Sequence, residues 1–241
     1  MTHNRIRRYI DFLKRTPLHP QWLLGKRDRT IDWVNQHAKG HLLDIGASDR
    51  WIEPRLAGSV TYTALDYPAT GQDLYKARPD LFGNASSLPF RNNSFDVVIL
   101  FDVLEHLEKP REALEDIKRV LKTDGTLLLN LPFVYPIHDA PFDFQRYTYF
   151  GLKRELEISG FVVEELENTM SSSETAGLMV TLALGGAILE TVNKRTAAML
   201  ITPLLIGLIP LINLTAWCLA RTLPNWDNLT AGLRTRARVR P

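Results

Sequence analysis

The chain has 241 residues, 45% of them hydrophobic, a formal net charge of +2 and a single cysteine. That length holds one well-buried α/β domain and an appendage but not two large domains, and the lone Cys218 excludes an internal disulfide. The charge is uneven: residues 1–29 carry eight Lys/Arg against Asp11 and Asp28, and residues 221–241 carry five Arg against Asp227, which suits either solvated tails or anionic neighbours.

In chain order, Ile6, Tyr9, Ile10 and Leu13 fall at helical spacing among Arg7, Arg8, Lys14 and Arg15, predicting a basic amphipathic helix that Pro17 and Pro20 end. No apolar run follows its charges, so a secretory signal is not expected. Thr30–His37 reads as a short helix. His41–Ile45 is an apolar strand running into a turn at Gly46, and Trp51–Leu56 is expected to form a helical turn or two. Val60–Leu65 is a second strand ending at Asp66. Phe95–Phe101 is a near-continuous apolar run, as in a strand covered on both faces. Arg111–Leu121 is an amphipathic helix with Asp124-Gly125 as its stop, Thr126–Leu131 a strand closed by Pro132, Thr148–Ser159 a helix ending at Gly160, and Phe161–Leu166 a strand. Strands alternating with helices predict an α/β fold: a Rossmann-like, doubly wound, mostly parallel sheet with helices on both faces, with ligands beyond the carboxyl ends of its strands.

Along that rim, Asp44-Ile45-Gly46 makes a tight strand-to-turn junction where glycine permits close backbone approach by a ligand. Asp66 follows 22 residues after Asp44, at the next strand end, where a carboxylate accepts from a ribose diol. A dinucleotide fingerprint would need three glycines; its positions hold Gly46, Ser48 and Trp51, and Trp51 blocks the packing a pyrophosphate cradle uses. These residues, with Gly83–Phe90, Asn93–Val98 and Asp102–Leu107, resemble the class I S-adenosylmethionine-dependent methyltransferases, in particular the methyltransferase type 11 group, over about Leu42 to Leu166. The resemblance implies S-adenosyl-L-methionine as cofactor, held by Asp44, Gly46, Ser48, Asp66, Asn84, Ala85 and Asp102. Two positions depart from the family pattern: Ser48 stands where Gly is common and Asn84 where Asp is common, and both substitutes can serve.

Methyl transfer from a sulfonium asks mainly for alignment, with a general base where the acceptor is a hydroxyl. His106 is one candidate base, against a purely structural role bonding backbone. Asp102, Glu105 and His106 also resemble a metal-assisted cluster of quinone-ring O-methyltransferases, although no resident metal is expected. A second cluster, Pro136 to Thr148, packs His, Asp, Arg and Tyr between aromatics after the fifth strand. It resembles a segment of methyltransferases found with glycan and lipid biosynthesis. His138 is its candidate base; Tyr147 joins the catalytic set and, with Asp139 and Arg146, positions the acceptor. The alternative for Arg146 is an ion pair with Asp143.

Thr175–Leu189 and Thr196–Ala220 are uncharged runs of 15 and 25 residues separated by Glu190, Lys194 and Arg195. The second is long enough to span a bilayer, and a two-segment hairpin would return the arginine-rich tail to the cytoplasm. In that tail Leu233, Thr235, Ala237 and Val239 alternate with arginines, as in a last strand or a basic tail. The expected divisions are a basic segment over 1–29, the cofactor domain over 30–170, a membrane-associated helical segment over 171–225 and a strand or tail over 226–241. The reading is a cytoplasm-facing, membrane-associated methyltransferase for a small or lipid-linked acceptor, more in keeping with O-methylation, and not a nucleic-acid enzyme. Its rival is a non-catalytic membrane-bound module of the same fold.

Overall fold

The computed structural model describes residues 11–25, 28–72 and 76–240, which form two compact units. The larger holds a seven-stranded sheet: β1 (Gly40–Ile45), β2 (Val60–Asp66), β3 (Leu81–Phe82), β4 (Phe95–Phe101), β5 (Leu121–Pro132), β6 (Phe161–Asn168) and β7 (Gly232–Val239). Their order across the sheet is β3-β2-β1-β4-β5-β7-β6. The first five pair in parallel and β7 runs antiparallel to β5. Helices α1 (Asp28–His37), α2 (Pro110–Val120) and α3 (Tyr149–Ile158) flank it.

The apolar runs divide between two faces because successive strand side chains point opposite ways. Leu43, Ile45, Val98, Leu100, Leu127 and Leu129 pack with Leu114 and Ile117 of α2 and Leu152 and Leu156 of α3. Leu42, Val97, Ile99 and Leu128 pack with Ile31 and Val34 of α1. The sheet is thus covered on both sides, as the strand patterns predict.

One boundary differs from expectation. The helix predicted to run through Leu121 ends at Val120; Leu121 already pairs with Phe95 in the sheet, and Asp124-Gly125 lies inside β5, beside a register shift. The core claims the Leu121 side chain, so the chain passes from the last helical turn directly into the strand. Behind the Gly46 turn there is a single 3-10 turn, Glu53–Arg55. No long helix starts there to offer a dinucleotide its N-terminus.

The C-terminal arginines belong to the sheet. Leu233, Ala237 and Val239 of β7 enter the core, while Arg234, Arg236 and Arg238 pair with glutamates of β6. Arg236 lies 2.6 Å from Glu165 and also pairs with Glu164; Arg234 lies 3.0 Å from Glu167; Arg238 pairs with Glu164. These three charges are neutralised within the sheet rather than held for an anionic neighbour.

The smaller unit contains α4 (Ser172–Lys194), a 3-10 turn (Ala197–Ile201) and α5 (Thr202–Thr222). The two helices touch where Gly177 has no side chain: a Cβ there would lie 2.4 Å from that of Ala216. Leu23, Met170, Leu178, Ala216 and Ala231 make its small core. Asp11–Arg15 is a 3-10 helix; the rest of the predicted basic helix, including Ile6, Arg7, Arg8, Tyr9 and Ile10, lies outside the described residues.

The β6–β7 ion pairs give a pH-dependent expectation. The Arg236 guanidinium holds the Glu165 carboxyl below its ordinary value, so that stabilisation is present above the unfolded-state value and fades as pH falls through the folded one. Arg236→Gln should cost about 1 kcal/mol in urea denaturation at neutral pH, and the difference from wild type should shrink in acid. A difference that grows in acid would contradict the pairing.

Candidate active site

At the end of β1, Gly46 has φ +80, and a Cβ there would meet Val103 Cγ2 at 2.3 Å. Its missing side chain makes room for Val103 in the segment after β4. The Gly46 and Ala47 amides donate to the Leu65 carbonyl, at 2.9 and 3.2 Å. Ser48, with φ 49, donates its amide to Asp66 Oδ2 at 2.8 Å, and Tyr67 donates to Asp66 Oδ1 at 2.8 Å. Asp66 therefore faces the Gly46 turn, 5% exposed. Burial raises its pKa, and the two amides oppose that rise. Each of its oxygens keeps a second lone pair for a hydroxyl donor.

The other predicted cofactor residues are placed less uniformly. Asp44 is buried and accepts from the Tyr62 hydroxyl at 2.6 Å; burial pushes its pKa up to about 7 against that hydrogen bond. Asn84 accepts from the Ser86 amide at 2.9 Å, so the side-chain oxygen expected to meet adenine already closes its own turn, with one lone pair left. Ala85 is buried beside it. Asp102 ends β4 with φ 53, exposed, and accepts from Asn130 Nδ2 at 3.1 Å.

Next along the rim, Glu105 is fully buried in a 3-10 turn (Leu104–His106), and neither carboxylate oxygen has a hydrogen-bond partner. Two imidazoles face it: His106 Nε2 at 3.6 Å and His138 Nε2 at 3.7 Å from Oε1. His106 Nδ1 lies 2.8 Å from the Phe142 carbonyl. A carbonyl only accepts, so Nδ1 carries the proton and, in the neutral ring, Nε2 presents a lone pair to Glu105. A buried carboxylate facing an imidazole lone pair is costly unless a proton or cation lies between them. Glu105, His106 and His138 do offer donors within 4.8 Å of one another, a set that suits a divalent cation. That set replaces the Asp102-containing one suggested by the sequence.

The loop from Ile137 to Tyr147 brings His138 there. Gln145 Nε2 donates to the Leu104 and Leu107 carbonyls, both at 2.8 Å, and the Phe144 amide donates to the Glu105 carbonyl at 3.0 Å. Asp143 accepts from the His138 amide at 3.0 Å, lies 3.3 Å from its Nδ1 and pairs with Arg146, whose Nη2 is 2.7 Å away. Arg146 holds the Asp143 carboxyl down to about 2, against burial. So Arg146 makes the ion pair, and its Nη2 also reaches within 3.5 Å of His138 Nδ1. Asp139 is half-buried in the same loop with φ 49. Tyr147 packs against the hydrophobic core, and burial, then Glu155, push its hydroxyl up to about 12. A phenol so placed stays protonated and can donate a hydrogen bond. Gln145 is the residue here that no sequence signal singles out, whereas Glu105 and Asp143 stand in the expected Asp102-Glu105-His106 cluster and the expected Arg146 ion pair. A polar cleft of about 470 Å³ lined by His37, Asp96, Lys122 and Gly125 lies at the amino ends of β4 and β5, away from all of these.

Residues 43–129 match the family model described as a methyltransferase domain. A ubiquinone/menaquinone biosynthesis C-methyltransferase UbiE from Ruegeria sp. is 28% identical over 125 residues, covering 46% of this chain and 48% of the relative. The chain spans about half the length of the curated relatives it matches. Among solved structures, the [4+2]-cyclase SpnF shares the fold at TM-score 0.56 and 19% identity, covering 88% of this chain and 80% of that one. The Haemonchus contortus phosphoethanolamine N-methyltransferase 2, solved with S-adenosylhomocysteine, shares it at TM-score 0.52 and 18% identity, covering 96% of this chain and 59% of that one.

The contact with Glu105 raises the pKa of His138, against burial. That pair stabilises the fold below the unfolded-state histidine value and is lost as pH rises through the folded one. Glu105→Gln should lower the His138 titration midpoint, followed by NMR of the imidazole carbons. A midpoint that stays or rises would show that Glu105 does not govern this ring.

Proposed function

We propose that this chain, which belongs to the class I S-adenosylmethionine-dependent methyltransferases, methylates a hydroxyl of a small amphipathic or lipid-linked acceptor at a membrane surface facing the cytoplasm. The observation that carries the reading is the adjacency on one rim of a nucleoside-type acid, Asp66, and a buried acid–imidazole cluster, Glu105 with His106 and His138.

The residues fit the cofactor. Asp66 has lone pairs for the ribose diol, the Gly46–Ser48 turn lies against it, and the Asn84-Ala85 turn offers an adenine contact. Asp44, two residues before Gly46, accepts from Tyr62 of β2, and Asp102 follows β4. Bound S-adenosylmethionine supplies a methyl group on a sulfonium, already activated for in-line displacement. The chain's part is to place the acceptor oxygen and remove its proton. His138 takes that proton at Nε2, and the imidazolium so formed is stabilised by Glu105, 3.7 Å away. Asp143 and Arg146 hold the ring from its other side. Asp139 and Tyr147 are assigned to orienting the acceptor, Tyr147 as a neutral donor.

Asp66→Ala should abolish S-adenosylhomocysteine binding in calorimetry, and unchanged affinity would refute the site. His138→Ala should retain that binding and lose turnover by about 10²–10⁴-fold, whereas His106→Ala loses less. Because Glu105 raises the His138 pKa and the base must be unprotonated, kcat/KM should climb with pH through the neutral range. A rate that falls over that range would assign the base elsewhere.

The UbiE relative favours a second reading, C-methylation of a quinone-type ring, in which His138 takes a phenolic proton and carbon becomes the nucleophile. Mass spectrometry of lipid extracts from cells with and without the gene locates the acceptor by the added methyl group. NMR of the product made with a labelled methyl donor separates carbon from oxygen attachment. α4 and α5, 23 and 21 residues long and apolar, supply the membrane association.

A further inference from the structure

We infer that the smaller unit docks lengthwise on one leaflet of a phospholipid bilayer through the outward face of α5, without crossing it. The inference rests on the membrane association proposed above and specifies its geometry.

α5 is two-sided. Ile209, Asn213 and Ala216 are buried. On the opposite side Leu200 of the 3-10 turn (87% exposed), Leu204, Leu211 and Leu214 are exposed, at spacings of four, seven and three residues that put them on one line. Gly207 and Cys218 continue that line, which is about 25 Å long at helical rise. No charge falls between Thr196 and Ala220. Its ends carry side chains suited to the headgroup level: Lys194 and Arg195 at one, Trp217 with Arg221 stacked on it at 3.8 Å, and Trp226, at the other. An uncharged strip bounded by cationic and indole side chains is complementary to an anionic lipid surface.

The inner side shows why the helices do not span. The segment Thr16–Gly25 packs against their middles: Asn213 Nδ2 donates to the Pro17 and His19 carbonyls at 2.7 and 3.0 Å, and Thr181 Oγ1 to the Pro20 carbonyl at 2.8 Å. A Cβ on Gly185 would lie 3.0 Å from Pro20. Gln21 in turn donates to the Tyr135 hydroxyl at 3.1 Å. A transmembrane hairpin would carry this non-helical backbone and its polar side chains into hydrocarbon. Lengthwise docking leaves them on the side away from the lipid.

Cys218, the sole cysteine and exposed on the strip, takes an environment-sensitive NBD label in the otherwise native chain. A second sample carries the label at Leu200→Cys with Cys218→Ser. Both are mixed with vesicles of phosphatidylethanolamine and phosphatidylglycerol. The expected result is co-flotation, equal shallow depths by spin-labelled-lipid quenching, and bleaching of both labels by dithionite added outside. Leu204→Asp with Leu211→Asp should reduce vesicle partitioning by at least about tenfold without changing stabilisation by S-adenosylhomocysteine. A label at position 200 that is deep or protected from dithionite, with position 218 accessible, overturns the docking geometry and leaves membrane association standing. Failure to float overturns both, as does a lipid-free dimer that these aspartates split, since the strip then belongs to a second copy.

Discussion

The close approach of Gly46 to Val103 is the contact that unites the candidate site. A side chain at position 46 would occupy the space of the Val103 methyl, and at φ +80 only glycine sits without strain. That approach sets the β1 turn, with Asp66 beneath it, directly beside the segment that follows β4. Val103 is followed within three residues by Glu105 and His106. The Asp66 turn and the segment bearing Glu105 and His106 are thereby set against each other by packing.

On the acid–base side the organising fact is burial. Glu105 is excluded from water with no hydrogen bond to its oxygens, so its charge is felt by whatever imidazole nitrogen it faces. The loop bearing His138 is fastened to the same 3-10 turn by Gln145 and by the Phe144 amide, which keeps the ring over the carboxylate. Asp143 and Arg146 neutralise each other and steady the ring's other nitrogen. The loop thus holds the His138 ring by contacts on both of its nitrogens.

The parallel sheet was legible because Phe95–Phe101 is a near-continuous apolar run, whereas the arginine alternation of residues 233–240 suited either a last strand or a basic tail. Its partner was not legible: that Arg236 answers Glu164 and Glu165 depends on β7 entering between β5 and β6, a tertiary fact. Asp66 stood out from its place after a strand. Glu105 reads in sequence only as a member of the Asp102-Glu105-His106 cluster; His138, arriving from 33 residues away, gives it a second imidazole. At Gly46 the sequence points to close approach by a ligand, and the fold adds a packing demand from Val103 that only the tertiary structure reveals. Leu121 was read as helix because it continues the apolar spacing of α2; the sheet core outweighed that local preference.

The sheet unit and the helical unit dispose of their apolar residues differently. In the sheet the apolar runs are covered on both faces, while on α5 an apolar line remains outside with no charge along it. The central claim, however, concerns the rim: a nucleoside site with no pyrophosphate cradle. Thermal denaturation of the full chain with S-adenosylhomocysteine and, separately, with NAD tests it most directly. The account predicts a concentration-dependent rise in Tm with S-adenosylhomocysteine and none with NAD; stabilisation by NAD alone would contradict it.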